Sequence, residues 1–113
     1  MSDYFDLSRI TELQDLLGTD AEGILASMLA SMTGAIERVE AAIATGELDH
    51  ATQDAHRARN DALMLGAWQL QEALTELEGA TRAGDEAGAH AALERLGQVW
   101  PPTRDGLADA AAS

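Results

Sequence analysis

Between residues 20 and 45, apolar side chains recur at Leu25, Met28, Met32, Ile36, Val39 and Ile43, at spacings of three and four. That spacing lays them along one face of a helix. It predicts a helix from about Asp20 to Thr45, roughly 39 Å long at 1.5 Å per residue. Gly46 stands where such a helix should stop. Gly23 and Gly34 interrupt the stripe without breaking it, each at about 1 kcal/mol against alanine. Upstream, Leu7, Ile10, Leu13 and Leu17 line a shorter first helix that starts near Asp6 or Ser8 and ends at Gly18. Thr19 and Glu22 then spell the T-x-x-E of a capping box. Downstream, Asp49 is the N-cap candidate of a third helix running to about Leu65, closed by Gly66. A fourth runs from about Ala67 to Ala83, carries Leu70, Leu74 and Leu77, and stops at Gly84. Asp85 caps a fifth, with Ala89, Leu93 and Leu96 inward. Its end is expected at about Val99, at Trp100-Pro101-Pro102, because proline cannot extend a helix and disfavours helix in the residue before it. Residues 103–113 are expected to form a loose turn or a disordered tail, leaving an ordered core of roughly residues 6–100.

Short links between long amphipathic helices imply antiparallel neighbours. The expected architecture is therefore all-α: one domain over residues 1–113, an up-down four-helix bundle with the short N-terminal helix packed on it as a lid. No internal repeat is evident.

On the third helix, Ala51, Ala55, Ala58, Ala62 and Leu65 follow spacings of four, three, four and three. They fall within about 80° on a helical wheel and form the buried face, where alanine allows close approach of neighbouring helices. His56 lies about 140° from the middle of that stripe, so its ring is expected in solvent. Thr52 and Gln53 precede it by one turn on the same side, and Asn60 and Leu63 follow. Arg59, at i+3, is close enough to share an anion with the imidazole. Leu63 and Met64 lie off the buried stripe and are candidates for an apolar docking patch.

Composition removes several alternatives. The chain carries 20 acidic and 7 basic residues, a formal charge of −13, and every basic residue is arginine. Phosphate backbones and anionic membrane surfaces would repel it, so neither nucleic acid nor a membrane is an expected partner. Without cysteine there is no disulfide, thiol nucleophile or thiolate metal site. The start, MSDYFDLSRI, has neither the basic nor the apolar stretch of a signal peptide, and no run approaches the ~18 apolar residues of a membrane span. A soluble, cytoplasmic protein is expected.

An exposed imidazole is partly unprotonated near neutrality and offers a ring nitrogen as a nucleophile. A phosphoryl group placed there would find Arg59 as a bidentate partner. The surface shows no acid–base pair, metal set or enclosing loop. It suits carriage of a phosphoryl group rather than its hydrolysis.

The chain resembles the histidine-containing phosphotransfer (HPt) domains of multistep two-component relays. That family reads roughly A-H-x-x-K-G-[SA], then L-G-A near the helix end, then a leucine-rich helix closing with R-x-G-D. Here the stretches are Ala55-His56-Arg57-Ala58-Arg59-Asn60-Asp61, Leu65-Gly66-Ala67, and Leu77-Glu78-Gly79-Ala80-Thr81-Arg82-Ala83-Gly84-Asp85. The resemblance covers nearly the whole chain, in helix count as well as order. It implies a four-helix bundle that is a phosphoryl carrier without full catalytic machinery of its own. His56 matches the histidine that takes the phosphoryl group from an aspartyl phosphate on a response-regulator receiver domain and passes it to another. Arg59 matches the family lysine that steadies the phosphate. The partners implied are receiver domains or a hybrid histidine kinase. The receiver supplies Mg²⁺, the chain needs no cofactor of its own, and a monomer is the usual state. Gln53, Asn60, Leu63 and Met64 then form the partner-docking surface.

Three positions depart from the pattern. Arg59 keeps the lysine's charge but changes its geometry. Asn60 replaces a glycine that leaves the ring accessible, and either crowds the imidazole or hydrogen-bonds it. Asp61 replaces a small residue and brings negative charge. These departures motivate a rival reading, an adapter or inhibitor that binds a receiver or kinase through Leu63 and Met64 without phosphorylation. His50 and His90 read as surface residues. Glu47-Leu48-Asp49-His50 spells the E-x-x-H of di-iron bundles, but that chemistry needs a second copy and the chain has none. Arg57, off the histidine's face, reads as solvation or partner steering. Met28 and Met32 read as core filling, Trp68 as a residue exposed at the bundle's end or packed under the first helix, and Tyr4 and Phe5 as anchors of that helix.

Overall fold

The computed structural model describes residues 3–112, so Met1, Ser2 and Ser113 lie outside it. The helices are α1 (Leu7–Leu17), α2 (Ala21–Ala44), α3 (Leu48–Met64), α4 (Trp68–Arg82) and α5 (Glu86–Ala111), with a 3₁₀ turn, Gly18–Asp20, between the first two. Among the described residues there is no strand, and no helix is long and apolar enough to cross a membrane. Each of α2 to α5 packs on its predecessor, and α5 returns to α2, closing a four-helix ring. The helix α1 lies across α2 and α5 as the lid.

Three of the connections are the same device. Gly46, Gly66 and Gly84 have φ of 77°, 69° and 70°. The residue after each glycine donates its amide five residues back, Glu47 to Ala42 at 2.8 Å, Ala67 to Ala62 at 2.9 Å and Asp85 to Ala80 at 2.9 Å. These are Schellman turns, which use the left-handed glycine to satisfy the last carbonyls of a helix. Each leaves so short a link that the next helix must run antiparallel.

The stripes read from the sequence are buried. Met32, Ile36 and Val39 of α2, Leu70, Leu74 and Leu77 of α4 and Leu96 of α5 are almost wholly enclosed, and so are the α3 alanines 51, 55, 58 and 62. Met28 packs at the edge of this core. The lid is fastened at the α3–α4 turn: Asp6 donates its amide to the Gly66 carbonyl at 2.9 Å, and Arg9 Nε donates to the Met64 carbonyl at 2.9 Å. Ile10 and Leu13 face inward beneath it, as does Phe5, while Trp68 stays half exposed.

Gly66 therefore carries two constraints. A Cβ there would sit 3.0 Å from that of Arg9 and 3.2 Å from that of Asp6, on a backbone that already disfavours one; Gly46 has the same backbone and open space. Gly46→Ala is expected to cost about 1 kcal/mol for the left-handed backbone alone. Gly66→Ala should cost about 2–3 kcal/mol, because the lid must also shift. Urea unfolding midpoints check the difference. Equal losses at the two turns would mean that the lid does not press on the second.

Two expected caps form and two do not. The Asp6 carboxylate accepts from the Ser8 amide at 3.0 Å, and that of Asp85 from the Gly88 amide at 2.9 Å. Bonds from the Ser8 hydroxyl and amide hold the Asp6 carboxyl below its usual range. The Thr19–Glu22 capping box is absent. The chain enters α2 through the 3₁₀ turn, with Asp20 already in helical conformation and making no side-chain cap. Asp49 is not an N-cap either: after the Schellman turn at Gly46, Glu47 is the N-cap and α3 starts two residues earlier than expected, leaving Asp49 in its first turn.

The larger correction is at the other end. The helix α5 continues through Pro101 and Pro102 to Ala111, so the expected stop at Val99 and loose tail are replaced by about three further turns. The two missing amides leave the carbonyls of Gly97 and Gln98 without helical partners, and both residues are exposed, so water can serve them. Thr103 Oγ1 donates to the Val99 carbonyl at 2.7 Å across the proline pair. Beyond it Leu107 is buried, Gly106 leaves the space filled by the Phe5 ring, and the Ala110 carbonyl accepts from Gln14 Nε2 at 3.0 Å. Lid and final turns hold each other, and that packing outweighs the local cost of the prolines.

Candidate functional site

His56 sits mid-way along α3, on the side away from its alanine face. Its side chain is 48% exposed. The expected solvent edge is there, but the other edge of the ring faces α4, where Glu78 lies. Glu78 is 5% exposed, a carboxylate on the apolar side of its helix next to Leu77 and one turn beyond Leu74. Its oxygens both lie 3.3 Å from His56 Nδ1. It accepts from Arg82 Nη2 at 2.7 Å, four residues along α4. Arg59 Nε lies 3.3 Å from Oε1. That N–H is buried and makes no hydrogen bond, so the contact is an ion pair whose donor is not aimed at the oxygen. A buried carboxylate without partners would cost several kcal/mol, and here two guanidiniums and an imidazole surround it.

Arg59 Nη2 also lies 2.9 Å from His56 Nδ1. One ring nitrogen cannot both accept from Arg59 and donate to Glu78, so the contacts correspond to two tautomers, and the proton is assigned from them. With the proton on Nε2, Nδ1 accepts from Arg59. With the proton on Nδ1, the ring donates to Glu78, Nε2 presents its lone pair to solvent, and the Arg59 fork is released. Tautomer and arginine position are thus coupled.

The other expected site residues divide. Gln53 is exposed one turn before His56, and Leu63 and Met64 are exposed beyond it, apolar on an otherwise polar surface. Asn60 is exposed and, of its two open roles, does not hydrogen-bond the imidazole, whose Nδ1 faces Arg59 and Glu78. Asp61 is half-buried, and desolvation pushes its carboxyl above the usual range. Arg57 lines a depression with His56, Thr52, Gln53 and Arg82, closer to the histidine than an i+1 position suggests. His50 and His90 are surface residues. Among the described residues no group of three or more His, Asp or Glu could hold a metal ion.

Sequence reasoning missed Glu78 and the part Arg82 plays. The signal was available. Leu70, Leu74, Leu77, Glu78 and Thr81 fall on one stripe of α4, so Glu78 is a charged residue at a core position with an arginine four residues on.

The family model of the Hpt domain matches residues 23–111. A search of curated proteins finds no match. Among solved structures the chain is similar to histidine-containing phosphotransfer protein B from Pseudomonas aeruginosa PAO1, with a TM-score of 0.90 over 99% of this chain and 97% of that one. At 19% identity that likeness speaks for the fold, including the lid helix and the full length of α5. The family match spans four of the five helices and includes the whole site, and on that ground the chain belongs to the Hpt family, the histidine phosphotransfer domains of phosphorelay signalling.

Proposed function

We propose that His56 is the phosphoryl-carrying residue, accepting from an aspartyl phosphate on a response-regulator receiver domain, or on a hybrid histidine kinase, and passing the group to a second receiver. The observation that carries this reading is the pairing of an outward Nε2 with an inward Nδ1 against buried Glu78. In the Nδ1–H tautomer, Nε2 attacks phosphorus as the P–O bond to the aspartate breaks, and the carboxylate leaves with that electron pair. No proton has to leave Nε2. The ring becomes an N-phosphorylated imidazolium whose Nδ1–H is held by the Glu78 carboxylate. Arg59, released from Nδ1 in this tautomer, is within reach of the phosphoryl oxygens. The return transfer runs through the same contacts.

In this reading the chain is a carrier, and Mg²⁺ belongs to the receiver. Leu63 and Met64, with Gln53 and Asn60, form the docking surface on either side of the ring. The protein acts as a monomer in the cytoplasm, and its charge of −13 keeps it from nucleic acid and anionic lipid. The test is transfer from labelled receiver domains. Acid-labile, base-stable label on the peptide carrying His56 supports the reading, and label on another residue removes it. Arg59→Ala is expected to keep the fold and slow transfer by about 10–10²-fold, the loss of one charge-assisted contact to the phosphoryl group. Single-turnover rates check this, and a rate equal to wild type would take Arg59 out of the site.

A further inference from the structure

We propose that the depression beside His56 is a seat for a carboxylate side chain of the docking receiver, with Arg57 and Arg82 as the residues that read it. The inference rests on the phosphotransfer reading above and adds to it a determinant of partner choice.

The first observation is shape. The depression lies between α3 and α4 and encloses about 300 Å³. Thr52, Gln53, His56 and Arg57 line it from α3, and Arg82 from α4. Thr52 and Gln53 are one turn before His56, and Arg57 directly follows it. Arg59, Asn60 and Leu63 are on the C-terminal side. The seat is thus beside the place where the phosphoryl group arrives, not the same place.

The second observation is charge. Six of the seven arginines are in ion pairs: Arg9 with Glu12, Arg38 with Asp54, Arg59 and Arg82 with Glu78, Arg95 with Glu72 and Glu76, and Arg104 with Asp105. Among the described residues Arg57 has no such partner, in a chain with 20 acidic residues to choose from. Its neighbour across the depression, Arg82, is 67% exposed and gives only Nη2 to Glu78, so most of its fork remains available. Two guanidiniums therefore face one concavity with spare donors, and the nearest other carboxylate on α3, that of Asp54, is taken by Arg38.

A carboxylate fits these donors, because planar guanidinium forks match its two oxygens. The charge of the whole chain sharpens the choice. At long range a protein of charge −13 repels acidic partners. A receiver whose acid falls on the seat gains the local contacts that offset this repulsion, and one whose acid falls elsewhere does not.

The experiment measures phosphoryl transfer from the full set of receiver domains of the source organism to wild type, Arg57→Glu and Arg57→Ala, as a function of receiver concentration. Phosphoramidate, a small donor that phosphorylates imidazole directly, is run in parallel. The expected result is a half-saturating receiver concentration at least about tenfold higher in Arg57→Glu, with a smaller rise in Arg57→Ala and a weaker salt dependence in both. The rate at saturation should be retained. Unchanged half-saturation overturns the proposal. So does a matching loss with phosphoramidate, which would place Arg57 in the chemistry or the fold rather than in docking. Phosphoramidate labelling of His56 without transfer from any receiver also overturns it, because no partner then docks productively. If phosphoramidate leaves wild-type His56 unlabelled, the phosphotransfer reading itself fails, and that result is distinct from the others.

Discussion

Replacing His56 with alanine is expected to abolish phosphoryl acceptance and leave the bundle folded. The two halves of this expectation have separate grounds. Acceptance depends on a ring nitrogen with a free lone pair, and no neighbour can substitute. Asn60 is exposed but carries no nucleophile, Arg59 is permanently charged, and His50 and His90 lie on the surface away from Glu78. Folding does not depend on the ring, because half of it is in solvent and the helix packs through Ala51, Ala55, Ala58 and Ala62. Alanine is the best helix former, so the change in stability should stay within about 0.5 kcal/mol. Labelling by phosphorylated receivers and by phosphoramidate, together with a thermal melt, checks both halves. Wild-type labelling of the variant would move the carrier to another residue. A collapsed melt would show that the His56–Glu78 contact holds α3 and α4 together.

The plan of the molecule was legible where local signals and packing agree. Leu25 to Ile43 mark α2 by period, Asp6 and Asp85 cap α1 and α5, and Gly46, Gly66 and Gly84 close three helices because only a left-handed residue completes the turn. Reading failed where packing outweighs local preference. Pro101 and Pro102 are strong stop signals. Yet Gly97 and Gln98, whose carbonyls they orphan, are exposed residues, and Leu107, Gly106 and Ala110 are gripped by the lid, so α5 runs on. That outcome depends on contacts between residues about a hundred positions apart, such as Gln14 with Ala110, which no local window contains. At the site, the exposed half was readable from the wheel of α3, which placed His56 outward and Arg59 one turn on. The buried half comes from another helix. It required taking Glu78 seriously as a charge on an apolar stripe, and asking which cation or imidazole across the interface it answers.

The second large effect is expected at Glu78. Glu78→Gln keeps the side-chain volume and a carbonyl acceptor but removes the negative charge that faces Nδ1 at 3.3 Å. Two consequences follow. The Nδ1–H tautomer loses its charged acceptor, so the 2.9 Å contact from Arg59 Nη2 to Nδ1 takes over, and the proton shifts to Nε2. The phosphorylated ring also loses the counter-charge for its Nδ1–H. A charge-assisted hydrogen bond of this kind contributes about 1.5–3 kcal/mol, which corresponds to transfer slower by about 10–10²-fold. Glu78→Ala should slow transfer at least as much. It should also destabilise the bundle by about 1–3 kcal/mol, since Arg59 Nε stays buried with no anion beside it. The shift is visible directly in ¹⁵N spectra of the His56 ring, as a move from the Nδ1–H to the Nε2–H pattern. Kinetics separate this role from docking. Glu78 acts on the nucleophile, so transfer from receivers and labelling by phosphoramidate should fall together, whereas Arg57 acts only on the partner. A Glu78→Gln protein that slows receiver transfer while phosphoramidate labels it at the wild-type rate would remove Glu78 from the chemistry and place it, with Arg82, in the docking surface.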